Sequence, residues 1–395
     1  MSRVSKARGI AKWLMVVLPL FLPAYLLRFS VGPLPSTALE AYLGVLLLTF
    51  TIGFGLSGWR DGWKQLAKWQ MPIVAWLIVS LLACAWAPSI MGALGLWRAY
   101  VLEPLFVFMM LPILLVGERE RRFFEYAIYG LVGWVTLWAG FQFVTGLGIP
   151  HPWDVAISAG RRATGPFPFP NALALLVVPI GAFAFARKYW VVTMVAFLAA
   201  LLARSDGGVG ALLIACWVTA FVGAQHAAPL RKWLIASAVV AVMVIGIVPQ
   251  VRDPFVKLIT FQDWSGRVRV WMWDESLQML RDRPLTGAGL GGYPTVVAPY
   301  HGHAFIEIFQ YPHNIVLNFW SEMGLLGLIV FGWILWTWIC MGRITMRPYG
   351  MYAILVAILI HGLVDVPYFK NDLAIVFWIL IWLSLQPALD EPKKP

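Results

Sequence analysis

Charged residues are scarce in this chain. Asp, Glu, Lys and Arg make up 12% of its 395 positions, about half the share of an ordinary soluble domain. With 61% of the residues hydrophobic, that shortage excludes a water-soluble protein, and length no longer counts domains when the chain is a bundle of spans. Cysteine is nearly absent. Cys84, Cys216 and Cys340 each fall in apolar runs, which excludes a disulfide framework and a zinc-ligand spacing and leaves three small core residues. The glycine-rich stretch Thr286-Gly-Ala-Gly-Leu-Gly-Gly-Tyr293 lacks a following Gly-Lys-Ser/Thr, so it is not a Walker loop. No cofactor, metal ion or nucleic-acid partner is expected.

What is present is a succession of long apolar runs, with 22 tryptophans of the kind that settle at membrane interfaces. A span needs about 20 mainly apolar residues. Runs of that kind predict about twelve spans, near residues 10–28, 36–56, 69–87, 99–116, 123–146, 171–187, 189–204, 208–224, 232–251, 315–341, 350–368 and 372–388. The fold class is therefore an all-α polytopic membrane protein, read as one transmembrane domain over residues 1–395. The first run has a basic head but no small-x-small cleavage site, and it reads as an uncleaved span.

Orientation follows from the basic residues. With the N-terminus inside, the inner segments carry Arg3, Lys6, Arg8, Lys12, Arg60, Lys64, Lys68, Arg119, Arg121, Arg122, Arg187, Lys188, Arg231, Lys232, Arg343, Arg347, Lys393 and Lys394, which is 18 of the 30. An even number of spans returns the C-terminus to the cytoplasm. The remaining twelve are Arg28, Arg98, Arg161, Arg162, Arg204, Arg252, Lys257, Arg267, Arg269, Arg281, Arg283 and Lys370. Ten of these are arginine, whose planar fork suits phosphate oxygens in a poorly hydrated cleft.

The longest non-spanning stretch, residues 252–313, is an outer loop between the ninth and tenth spans. It is too apolar for disorder and long enough to be functional. Ser265 or Asp263 can cap a helix from near Arg267 to just before Pro284. Val270, Trp273, Leu277 and Leu280 fall on one side of it, and Arg267, Asp274 and Gln278 on another, as in a helix lying on a membrane surface. The glycine-rich stretch that follows can offer backbone N–H groups to an anion.

Four segments resemble the O-antigen ligase and polymerase superfamily. They are Arg162-Ala-Thr-Gly-Pro-Phe with Pro170-Asn-Ala-Leu-Ala174; Ser265-Gly-Arg-Val-Arg-Val-Trp271 with Asp282-Arg-Pro-Leu-Thr-Gly-Ala-Gly-Leu-Gly291; Pro312-His-Asn-Ile-Val-Leu317 with Glu322-Met-Gly-Leu-Leu-Gly327; and His361-Gly-Leu-Val-Asp365 in the eleventh span. The resemblance implies a glycosyltransferase of the bacterial inner membrane with its active site facing the periplasm. Its donor would be a glycan on undecaprenyl pyrophosphate, its acceptor a lipid A–core sugar or another glycan, its surroundings membrane lipids, and its chemistry free of a metal ion. A lipid A–core acceptor is favoured because no appended soluble domain is present to bind a protein acceptor. By position, Arg267 matches the loop arginine before a tryptophan and His313 the histidine before asparagine. Relatives often carry Ser-Arg-Gly after the seventh span. This chain reads Arg204-Ser-Asp-Gly-Gly208, with Asp206 in the usual place of the arginine. Either Arg204 reaches the same phosphate from a neighbouring position, or that contact is absent.

Breaking a sugar–pyrophosphate bond releases a strongly anionic group, which fixed cations stabilise. That role falls to Arg267 and Arg204, with Arg162 as a further cation. A histidine near its working range can take the proton of an attacking hydroxyl, and that role falls to His313. Attack opposite the leaving group inverts the anomeric centre. The alternative for His313 is a helix cap, but Asn314 is the better N-cap. Arg269 and Asn314 are further substrate contacts. Glu322 is expected to hold an arginine in place, a buried acid being costly unless paired. His361 and Asp365, four apart near the outer end of the eleventh helix, are expected to orient one another. His301 and His303 read as a solvated pair without a third metal ligand, and Glu40 and Glu103 as partner charges. A polymerase, a protein O-oligosaccharyltransferase, a lipid-linked substrate transporter and an envelope scaffold compete with this reading. No internal repeat of the transporter kind is evident.

Overall fold

The structure, a computed structural model, describes residues 2–32, 34–154, 161–224, 228–344 and 348–387. Arg347, Lys393 and Lys394, expected on the inner side, lie outside these residues. In chain order the described elements begin with α1 (Arg3–Phe21), a hairpin of β1 (Arg28–Val31) and β2 (Leu34–Thr37), α2 (Ala38–Gln65), α3 (Gln70–Ala85) and α4 (Ile90–Trp97). α4 runs through a π-turn into α5 (Glu103–Leu114), followed by α6 (Glu118–Thr145), α7 (Pro170–Ala186), α8 (Trp190–Leu202), α9 (Asp206–Gly223) and α10 (Ala228–Ile247). Between α10 and the next long helix lie α11 (Pro249–Ile259), α12 (Trp264–Asp282) and α13 (Tyr293–Val297), and α14 (Ile315–Ile344), α15 (Pro348–Gly362) and α16 (Asn371–Ser384) follow.

Six described stretches are long and apolar enough to cross a membrane: Arg3–Leu26, Ala38–Gln65, Ile90–Leu114, Glu118–Thr145, Asp206–Gly223 and Ile315–Ile344. Shorter apolar helices accompany them, among them α7, α8 and α16. The protein is thus a polytopic, mostly helical membrane protein. α7 and α16 are apolar on every side because they are buried on every side, the pattern of a central helix. Enclosed by neighbours, their ends need not reach lipid, so their brevity is tolerated.

The two ends of the bundle differ in chemistry. At one end Lys12 pairs with Glu120 at 3.3 Å, Arg121 donates to Gln386 at 3.4 Å and Arg187 donates to the carbonyls of Leu383 and Gln386. All three cations belong to the segments expected inside. At the other end the loops after α6, α8 and α15 meet the stretch before α14. Charges within the apolar part are paired there too, with Arg98 bridging Glu40 at 2.7 Å and Glu103 at 3.5 Å.

α12 starts where expected, with Asp263 as its cap: the side chain accepts from the Gly266 N–H at 3.2 Å. The apolar side read from the sequence is divided between protein and surface. Val268, Met272, Glu275, Ser276, Met279 and Leu280 are buried, whereas Val270 and Leu277 are exposed. The reason is that polar anchors set the helix's rotation. Ser276 shares a 2.8 Å hydrogen bond with Tyr293, and Glu275 receives the N–H of Gly302.

Candidate active site

The site is built around Asp365, which is 1% exposed. Its position corrects the sequence reading. α15 ends at Gly362, so Asp365 lies beyond the helix in a turn closed by its own N–H donating to the His361 carbonyl at 3.0 Å. Once the helix stops, the four-residue spacing no longer stacks the two side chains, and no side-chain bond joins His361 to Asp365. Asp365 instead receives His313 Nδ1–H on Oδ1 at 3.1 Å, Asn171 Nδ2–H on Oδ2 at 2.9 Å and the Val366 N–H on Oδ1 at 2.9 Å. Burial alone would raise this carboxyl. The adjacent His313, with His361 and Lys370, overrides that and holds it well below the usual carboxylate range.

With Nδ1 turned to the carboxylate, Nε2 is the ring nitrogen left on the far side of the imidazole. That nitrogen has no hydrogen-bond partner among the described residues. The imidazole is flanked by the rings of Tyr311 at 4.8 Å and Phe309 at 5.5 Å. Its backbone is left-handed at φ 48°. Asn314 takes the capping role, accepting the N–H groups of Val316 and Leu317 while its amide donates to the Leu363 carbonyl.

Three guanidinium groups gather here. Arg162 donates to Asn171 Oδ1 at 3.1 Å and to the carbonyls of Ala203 and Arg204, with its plane over Trp153 at 4.9 Å. Burial lowers its proton affinity. Asp206 and Asp365 oppose that, and the neighbouring charges of Arg204 and Arg269 add to it. Arg204 is exposed at the mouth, in left-handed backbone at φ 50°, just before the Ser205 cap and Asp206 that begin α9. Arg269 is tied to the Val364 carbonyl at 2.9 Å and to Ser265 Oγ at 2.8 Å. Arg267 stands apart. Two residues from Arg269, it falls on a different flank of α12, with its guanidinium 5.9 Å from the centre of the Trp264 ring and no other side-chain partner among the described residues.

Two further expectations are revised. Glu322 meets no arginine. It accepts the Gly291 N–H, so the group that the glycine-rich turn grips is one of the protein's own carboxyls. That turn packs against a kink in α14 at Gly324, φ 69°, where a Cβ would stand 1.9 Å from the Leu285 carbonyl oxygen. His361, 2% exposed, lies against Gly207 and Gly208, its Nδ1 without a hydrogen-bond partner among the described residues. His301 and His303 are only partly exposed, and both direct Nδ1 at Glu275, at 3.1 and 3.2 Å. Among the described residues no group of three or more His, Cys, Asp or Glu side chains is placed to hold a metal ion.

Asn171 was missed as a site residue. It lies within the Pro170-Asn-Ala-Leu-Ala174 motif, but its two partners, nine and 194 residues away, leave no local signal.

Residues 191–332 match the family model described as O-antigen ligase. The match takes in Arg204, Arg267, Arg269, His313, Asn314 and Glu322, while Arg162, Asn171, His361 and Asp365 reach the same site from outside it. No curated protein matches the chain.

Proposed function

We propose that this chain, whose residues 191–332 match the family model described as O-antigen ligase, transfers a glycan from undecaprenyl pyrophosphate to an acceptor hydroxyl, a lipid A–core sugar, at the periplasmic face of the bacterial inner membrane. The observation that carries the reading is the Asp365–His313 pair set among arginines at one mouth of the bundle.

In the proposed step the acceptor hydroxyl gives its proton to His313 Nε2 as its oxygen bonds to the anomeric carbon. The bond from that carbon to the diphosphate oxygen breaks, and the diphosphate keeps the electron pair. Asp365 holds the ring and stabilises the imidazolium that forms, the same division of labour as in other histidine–aspartate pairs. Arg162 and Arg269 have part of their donor sets tied to the protein, so they supply fixed positive potential. Arg267 has its donors free to fork onto phosphate oxygens, and Arg204 sits at the mouth. Fixed cations in a poorly hydrated cleft favour the developing charge without reorganising. Attack opposite the leaving group inverts the anomeric centre, and no metal ion is required by this sequence of events.

The test is reconstitution of the purified protein with a lipid-linked glycan and lipid A–core acceptor, with neither nucleotide sugar nor divalent cation added. The expected outcome is a covalent product seen by mass spectrometry. Movement of the donor across the bilayer without a product would replace this reading with a transporter.

A further inference from the structure

On the flank of α12 that carries Arg267, four rings form one cluster. Trp271 stacks on His303 at 4.6 Å and 21°, Phe305 stands edge-on to both at 5.7 and 5.8 Å, and Trp264 closes the group at 6.1 Å from Trp271. Core aromatics would be hidden, yet Trp264 is 58% and Phe305 67% exposed. The cluster is also deliberately anchored. Glu275, 5% exposed, uses its whole carboxylate on it, taking His301, His303 and the Gly302 N–H. Burying a carboxylate is costly unless it is fully bonded, and here the bonds hold a short loop of exposed rings in place.

The border of the cluster distinguishes a sugar surface from a lipid surface. Helical register puts Arg267, Asp274 and Gln278 in one row beside Trp264 and Trp271, with Gln278 donating to Asp274 at 2.8 Å. The exposed aliphatics Val270 and Leu277 lie on the far side of that row. An acyl-chain contact would be apolar without interruption. Flat rings whose faces are electron-rich, edged by planar groups that both donate and accept, suit a pyranose, with C–H bonds on its face and hydroxyls around its rim.

We propose that Trp264, Trp271, His303 and Phe305 form a subsite for the glycan of the donor, holding sugars beyond the one that is transferred from the diphosphate. This rests on the transfer reaction proposed above. Arg267 ties the two together, because the guanidinium assigned to the diphosphate lies over the Trp264 ring, so a glycan leaving that diphosphate meets the rings next.

The experiment compares the protein in nanodiscs with its Trp271→Ala, Phe305→Ala and Trp271→Ala/Phe305→Ala variants. The probes are undecaprenyl pyrophosphate carrying one sugar, the same carrier with its full oligosaccharide, and the free oligosaccharide released by mild acid. The expected result is a KM for the long donor raised about tenfold in the double variant, with kcat and the short donor's KM unchanged, and loss of saturation-transfer signal from the free oligosaccharide. Equal effects on long and short donors, or free-oligosaccharide binding that survives in all variants, would overturn it. So would quenching of Trp264 by brominated acyl chains, which would place the rings in lipid. If no donor is ever turned over but the oligosaccharide still binds through these rings, the transfer reading fails and the subsite stands.

Discussion

A histidine in left-handed backbone is uncommon, and such strain costs about 1–3 kcal/mol unless the surroundings impose it. At His313 they do: the Asp365 bond fixes the ring and Asn314 fixes the next residue. Arg204, the other left-handed residue of the site, sits at the facing mouth. Asn171 joins the cations to the base, accepting from Arg162 and donating to Asp365. Asn171→Ala should therefore lower kcat by about tenfold or more, shift the pH–rate profile, and leave donor binding nearly unchanged; a change confined to KM would mean that it contacts substrate instead. Arg267→Ala should lower kcat/KM by about 10²-fold or more, with Arg267→Lys recovering only part because lysine lacks the fork. Steady-state transfer kinetics check both. Arginine and histidine were legible one by one, from their types and from the family resemblance. Their pairing was not: His361 offered the short-range partner for Asp365, and the partner used lies 52 residues back.

At the scale of elements, α12 shows what periodicity captures. Its existence, its Asp263 cap and its end before Pro284 followed from local chemistry. Its rotation did not, because Glu275 and Ser276, polar residues that a hydrophobic pattern assigns to solvent, are buried by bonds to segments 17 to 28 residues on. The Glu275 clamp makes the loop over α12 sensitive to pH. The hydrogen bond that His301 donates to the Glu275 carboxylate raises the imidazole above its ordinary value near 6.5. A raised folded value means that the protonated clamp contributes fully below about pH 6.5 and is lost as pH rises through the higher folded value. Amide exchange in residues 301–306, corrected for intrinsic rate, should therefore be slower at mildly acid than at alkaline pH, and Glu275→Gln should flatten that dependence. Exchange that is flat in the unaltered protein would mean the clamp does not titrate in this range.

For the whole molecule, the arrangement of ends matters more than the number of spans. Lys12, Arg121 and Arg187, expected inside, bond to neighbouring segments at one end, and three of the leftover arginines, Arg162, Arg204 and Arg269, gather near His313 at the other. Counting charges sorts the loops into two sets, and that sorting survives errors in span boundaries because the asymmetry is a property of loops. The central place of α7 and α16 was not legible, since an all-apolar run looks the same whether it faces lipid or protein.

In the proposed reaction His313 acts as the base in glycan transfer. The most direct measurement is single-turnover transfer from the lipid-linked donor by His313→Ala in proteoliposomes, alongside donor binding to the same preparation. Transfer is expected to fall by about 10²–10⁴-fold with donor binding retained. Turnover close to that of the unaltered protein would contradict that role.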